Sequence, residues 1–264
     1  PVWEGKTPFG NHPARLSRVV ALTGSQAPLD GLLQAVSSGK LTKEKLPTAL
    51  RALAGAGARP KHLAPVVNAI LSADQTKATR LDLLQTLRAS QTARNLVSPN
   101  DRARLAKLYQ DPHLGPASLR LAAQWKQPGA REAARRLLDQ TPADDLLALR
   151  RNTSTLAAFG KPGTDALLAF AQNTESSEAE LAALEAVAET APLEAAKRAP
   201  AFLASAPAHL DLAPLYANLL RSSEAPKALT ASLLGETLPA RAALAGLRAA
   251  TTSGRDLADL VTAF

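Results

Sequence analysis

The chain has 264 residues, 46% hydrophobic but only 3% aromatic, with a net charge of +8 and neither Cys nor Met. Without Cys there is no disulfide, thiolate zinc site, thiol nucleophile or C-x-x-C-H haem attachment. No run of about 18 apolar residues offers a membrane span. The charge is uneven: residues 1–130 hold 18 Lys/Arg against 7 Asp/Glu, a balance of +11, while residues 131–264 hold 13 against 16, a balance of −3. A basic half fits nucleic acid, an anionic polymer or an acidic protein, and equally a plain solvated face.

Residues 1–13 (PVWEGKTPFGNHP) carry three Pro and two Gly and no helical period, which predicts a linker or N-terminal cap. A chain that starts at Pro1 and lacks Met reads as a processed or excised part of a longer protein. From Ala14 to Phe264, Ala/Leu-rich amphipathic stretches alternate with short Pro, Gly, Ser, Thr or Asn breaks. They predict helices over 14–23, 29–38, 42–55, 62–73, 76–89, 100–110, 116–126, 130–139, 142–151, 154–159, 163–172, 177–190, 193–205, 211–221, 226–235, 239–250 and 255–263. Within 79–89, Leu81, Leu84 and Leu87 share one face with Arg80 and Arg88 outside. Within 178–189, Leu181, Leu184 and Ala188 oppose Glu178, Glu185 and Glu189, which predicts a half-buried helix.

The breaks carry helix punctuation. Thr141-Pro142 reads as N-cap and N1 with Asp144 in the first turn, and Ser177 with Glu180 has capping-box spacing. Gly24, Gly39, Gly160 and Gly254 stand at C-terminal stops, and Pro65, Pro116, Pro214 and Pro239 near helix starts. Phe264 is expected to pack on helix 239–250, with Leu257, Leu260 and Val261 on the apolar side of the last helix.

A helix about every 15–18 residues makes a helical pair of roughly 32–38, the length of helical-repeat families. The tetratricopeptide and ankyrin signatures are missing, leaving the degenerate HEAT/armadillo type. The fold class expected over 14–264 is therefore all-α: a right-handed α-solenoid of about seven or eight helical hairpins, each sheltering its apolar side on its neighbours. The phrases LRALAGAG (Leu50–Gly57) and GRDLADLVTAF (Gly254–Phe264) resemble HEAT-like repeat regions of large secreted planctomycete and verrucomicrobial proteins. In those proteins the repeats lie between a sugar-dehydrogenase type β-propeller and a c-type cytochrome domain. The resemblance implies a periplasmic or secreted setting and a scaffold or docking role toward a partner protein or the neighbouring propeller or cytochrome domains. The composition by itself leaves the cytoplasm open.

Candidate sites are few. His12, His62, His113 and His209 lack a partner at i+3 or i+4, so zinc spacing is absent and they read as surface or capping residues. Asp144-Asp145 and Glu175, Glu178 and Glu180 sit at helix starts, where acids answer the macrodipole. Gly55-Ala56-Gly57 lacks the strand and the G-K-[ST] of a phosphate loop, and there is no G-x-S-x-G elbow. No catalytic, cofactor or metal residue is expected. The candidate partner-binding face is basic: Arg94, Arg102, Arg104, Lys107, Arg120 and Lys126. Nucleic acid is the alternative ligand for that face. HEAT-like alkylpurine DNA glycosylases use a basic groove with a Trp and an Asp, but no motif here links Trp125 to Asp111 or Glu132. Arg241 and Arg248, seven residues apart, fit either a partner-facing stripe or a solvated face, and Arg131, Arg135 and Arg136 cluster similarly.

Overall fold

Ala and Leu are strong helix formers, and an apolar stripe built from them becomes stable helix once it is covered by another stripe. The computed structural model describes residues 27–56, 59–234 and 237–264. Over these the chain is all-α, with sixteen α-helices, one 3-10 turn and no strand. The expected linker at 1–13, the helix at 14–23, His12, Gly24 and Gly57 lie outside the described residues.

The chain divides into two compact units, residues 1–133 and 134–264. The first contains α1 (Ala27–Ser37), α2 (Leu46–Ala56), α3 (Pro60–Leu71), α4 (Lys77–Ala89), α5 (Ala93–Leu96), α6 (Pro99–Leu105) with a 3-10 turn (Ala106–Leu108), and α7 (Gly115–Gln124). The division falls within α8 (Ala130–Asp139). The second contains α9 (Leu146–Ala157), α10 (Lys161–Asn173), α11 (Ser177–Thr190), α12 (Pro192–Ser205), α13 (Ala213–Arg221), α14 (Ala225–Leu233), α15 (Ala240–Thr252) and α16 (Ala258–Ala263).

Packing is short-range within each unit. In the second, α9, α11, α13 and α15 follow one another as one row and α12, α14 and α16 as another, while most consecutive helices, α14 and α15 excepted, pack across the rows. In the first, α1 packs on α2 and α3, α2 on α3 and α4, α3 on α6, and α4 on α7. Its core is almost entirely aliphatic, from Leu29 and Leu32 through Leu53, Val66 and Ile70 to Leu84 and Leu87, with Trp125 as its one aromatic member.

Many of the polar bonds between helices share a step. Asp30 to His62, Arg51 to Asp82, Gly55 to Ser90 and Asn68 to Arg104 in the first unit each join residues 31–36 apart. So do Arg150 to Glu185, Glu178 to His209, Glu185 to Asn218, Leu210 to Arg241 and Leu220 to Arg255 in the second. That step is the length of one helical pair.

Several local expectations are corrected. In place of the two helices expected over 142–151 and 154–159 there is one, Leu146–Ala157, and the Asp145 carboxylate caps it by accepting from the Ala148 N–H at 2.9 Å. Thr141 is no cap, because its hydroxyl donates to the Leu137 carbonyl at 2.8 Å and accepts from Asn152 at 2.8 Å. The cap of α11 is Ser176, one residue earlier than expected, accepting from the Ala179 N–H at 3.2 Å. Pro60 takes the N1 position of α3, which leaves Pro65 inside that helix. The run expected as helix 100–110 ends in a 3-10 turn, and α5 precedes it unexpectedly. Gly39, Gly160 and Gly254 do have positive φ, the left-handed stop that glycine tolerates best.

Two ionisable residues are buried where exposure was expected. Glu185 is 7% exposed, because α11 is covered by α9, α10, α12 and α13, and residues 181–188 are buried without a break. Arg150 meets it with two parallel bonds, Nε to Oε2 at 2.6 Å and Nη2 to Oε1 at 2.7 Å. Such a fork is the strongest form of carboxylate recognition; it raises the pKa of the guanidinium above its ordinary value against the opposing effect of burial. His62 is fully buried rather than superficial, with Nε2 2.9 Å from Asp30. An ionised carboxylate only accepts, so the His62 ring donates there. Lys61 reaches the same oxygen at 2.6 Å. Its bond and that of His62 hold the Asp30 carboxyl at about 2, against an ordinary 3.8.

Removing Arg150 strands a buried carboxylate, so Arg150→Ala is expected to cost about 2–3 kcal/mol in urea unfolding followed by circular dichroism. The paired Arg150→Met, Glu185→Leu change should cost clearly less. For Asp30 the depressed pKa fixes the sign: its contribution is whole above the ordinary carboxylate range and disappears as pH falls toward 2. The thermal midpoint of Asp30→Asn should therefore lie below that of the parent at pH 7 and converge on it between about pH 5 and pH 2.

Candidate functional site

Helix α15 has two working faces. Ala242, Gly246 and Ala250, four residues apart, form a buried stripe of small residues. Tyr216 of α13 is fully buried, and its hydroxyl donates to the Ala242 carbonyl at 3.0 Å. Burial pushes that hydroxyl's pKa up, so it stays protonated and donating. The Phe264 ring meets Tyr216 edge-on, with centroids 5.6 Å apart, and lies against Gly246. The expected packing of Phe264 on this helix is thus observed, with Leu260 buried beside it and Val261 36% exposed.

The other face of α15 opens onto a groove of about 960 Å³ shared with α13. Arg241, Leu244 and Arg248 line it at i, i+3 and i+7, and Leu244 is 52% exposed. Leu212, Ala217 and Leu220 supply an apolar wall from the α13 side. Arg221 closes α13, and Arg255 follows the left-handed turn at Gly254, which directs the chain back toward the end of α13. Four arginines therefore meet a single carboxylate, Asp211, whose Oδ1 accepts from the Ala213 N–H at 3.0 Å.

Two of the four are held by neutral acceptors. Arg241 Nη2 donates to the Leu210 carbonyl at 2.9 Å. Arg255 Nη1 donates to the carbonyls of Leu220 at 2.5 Å and Ser222 at 2.6 Å, capping the C-terminal end of α13. A carbonyl orients a guanidinium without cancelling its charge. Arg221 and Arg248 have no side-chain partner among the described residues. A smaller hollow of about 230 Å³ lies on the same row beside Arg150, Glu185 and Asn218. There the arginine is already neutralised by Glu185.

The basic residues singled out in the sequence are partly drawn together. Arg102 donates from Nε to the Val97 carbonyl at 3.0 Å and from Nη2 to that of Arg94, and its guanidinium lies 5.3 Å from the centre of the Trp125 ring. Arg104 turns elsewhere, to Asp101 at 2.9 Å and to Asn68 of α3 at 2.8 Å. Arg94, Lys107 and Lys126 are exposed and Arg120 is half-buried. Trp125 is 7% exposed and belongs to the core, so its ring is no open stacking platform. Burial raises the Asp111 carboxyl, but N–H donors from Leu114 and His113, both at 2.8 Å, prevail and hold it below its ordinary range. Glu132 pairs with Arg131.

Among the acids at helix starts, Glu178 is lowered by its bond from His209, whereas burial raises Glu180. His209 is exposed, as expected. Among the described residues no three His, Asp or Glu gather for a metal ion, and no helix is long and apolar enough to cross a membrane. Sequence reasoning named Arg241 and Arg248 but not Arg221 and Arg255. Their separation of 34 residues, one helical pair, was the available signal. No family model, curated protein or solved structure matches this chain.

A Cβ at Gly246 would overlap the Phe264 ring. Gly246→Ala should therefore expel that ring and abolish Tyr216–Phe264 contacts in nuclear Overhauser spectra. Overall stability should move by less than about 1 kcal/mol, because alanine's helix propensity offsets the lost contact.

Proposed function

We propose that this protein is a HEAT-like, right-handed α-solenoid that works as a non-catalytic scaffold and protein-interaction module. The single observation carrying this reading is the recurrent 31–36-residue step of the bonds between helices. A stack of equivalent hairpins produces such a step because each hairpin meets its successor through the same positions. In the second unit, packing between helices one and two places apart agrees with it.

The role is geometric. A row such as α9–α11–α13–α15 presents one side chain set per repeat to a partner, which is either a separate protein or a domain of the same polypeptide. A few anchors then supply most of the affinity. Asp30, Asp111, Arg150 and Glu178, whose pKa values are shifted, each bind a neighbouring side chain or the backbone, which favours binding over catalysis. The alternative of nucleic acid on residues 1–130 is weaker, since Arg102 and Arg104 are tied internally and Trp125 is buried. The resemblance seen in the sequence adds a periplasmic or secreted setting to the proposal.

In a one-dimensional stack a hairpin is removable. Deleting residues 176–208, which joins the start of one odd-numbered helix to its equivalent one repeat later, should leave a chain that unfolds cooperatively with unchanged ellipticity per residue. Duplicating the same segment should do likewise. Loss of cooperative unfolding in both variants would contradict the stacked-repeat reading.

A further inference from the structure

Resting on the interaction-scaffold reading, we propose that the α13–α15 groove binds an acidic peptide segment bearing aliphatic side chains. The first argument is charge. Four guanidinium groups face one carboxylate, inside a half of the chain where acids outnumber bases by 16 to 13. The concentration is local and runs against the surrounding composition. The second is preorganisation. Arg241 and Arg255 are fixed by main-chain carbonyls, so their positions are set before any anion arrives, and no carboxylate among the described residues pairs with either. Ordering a long side chain in advance removes part of the entropy cost of binding.

The third argument separates a peptide from other anions. Between the arginines lie Leu212, Leu220 and the half-exposed Leu244. Free phosphate would engage the guanidinium groups and leave Leu244, the one exposed leucine of the three, in water. A single nucleic-acid strand calls for aromatic faces on which bases stack, and no aromatic side chain lines the groove. A segment with carboxylates on one side and Leu, Ile or Val on the other satisfies rim and floor together, in the manner of an amphipathic helix laid in a groove. The spacing is also specific. Arg241 and Arg248 stand seven residues apart, about 10 Å along α15. Carboxylates at i and i+7 of a helix match this.

The test uses the full 264-residue chain and the fluorescence anisotropy of a labelled Glu/Leu peptide long enough for about three helical turns. Saturable binding is expected, weakening steeply with salt. Arg221→Glu with Arg248→Glu should weaken it roughly tenfold or more; neither side chain holds the fold together, and circular dichroism would verify that. Leu244→Ser, a second change that leaves the charges untouched, should also weaken it, whereas Lys43→Glu with Arg88→Glu, at exposed positions outside the groove, should leave it intact. Peptides with Gln for Glu or Ser for Leu should bind poorly, and neither inorganic phosphate nor oligothymidylate should compete. The proposal is overturned if the Glu/Leu peptide does not bind, if it binds the groove variants as well as the parent, if the Gln/Leu peptide binds equally, or if oligothymidylate displaces it. Those failures leave the hairpin-deletion result standing. A failure of the deletion and duplication variants would remove the scaffold reading as well.

Discussion

A helix whose apolar stripe is made of alanine and leucine cannot bury itself. Alanine contributes little area and leucine only its own branch, so no single contact partner covers the stripe, and each helix needs neighbours on more than one side. The small side chains also let those neighbours come close. Helix α11 carries this to its limit, with residues 181–188 all withdrawn from water. Pairwise covering by the helices just before and just after generates the contact order seen in each unit, and leaves little need for large aromatic cores.

Apolar covering alone does not fix how far one helix slides along the next. The polar bonds do. Arg150 on Glu185, Asp30 on His62, and Asn218 on the Glu185 carbonyl each lock a particular turn of one helix to a particular turn of its successor in the row. Tyr216 performs the same task with one hydroxyl, and the absence of a side chain at Gly246 makes room for the ring that backs it. Register and cover are thus divided between two kinds of interaction. The groove between α13 and α15 lies where the row keeps its register through Tyr216 while the opposite edge stays uncovered.

How much of this was legible in the sequence depends on whether the signal was local. Helix α11 is read to the residue from its acidic start and uninterrupted Ala/Leu run, and α8 from its charge pattern. Boundaries fail where a side chain chooses a tertiary partner over a local one. Thr141 looks like a cap until Asn152 donates to it, and Pro65 looks like a helix start until Pro60 takes that position. Glu185 looks exposed because a helical wheel cannot show that four helices surround α11. The groove was half legible. Arg241 and Arg248 belong to one helix and stand out by spacing, whereas Arg221 and Arg255 meet them only through a repeat step that degenerate Ala/Leu text conceals. The candidate basic face of residues 1–130 stands out by charge density, which does not register that Arg102 and Arg104 hold their own unit together.

The way Arg241 and Arg255 are anchored has a consequence for sequence drift. Their acceptors, the carbonyls of Leu210, Leu220 and Ser222, belong to the main chain. Replacing the side chains at those three positions leaves the acceptors in place, so this arrangement tolerates divergence around α13. It depends instead on the helical path of α13 and its two ends. Fraying at the last turn would release Arg255 and disperse the local positive field, which makes the electrostatics of this surface a direct readout of whether one short helix is intact.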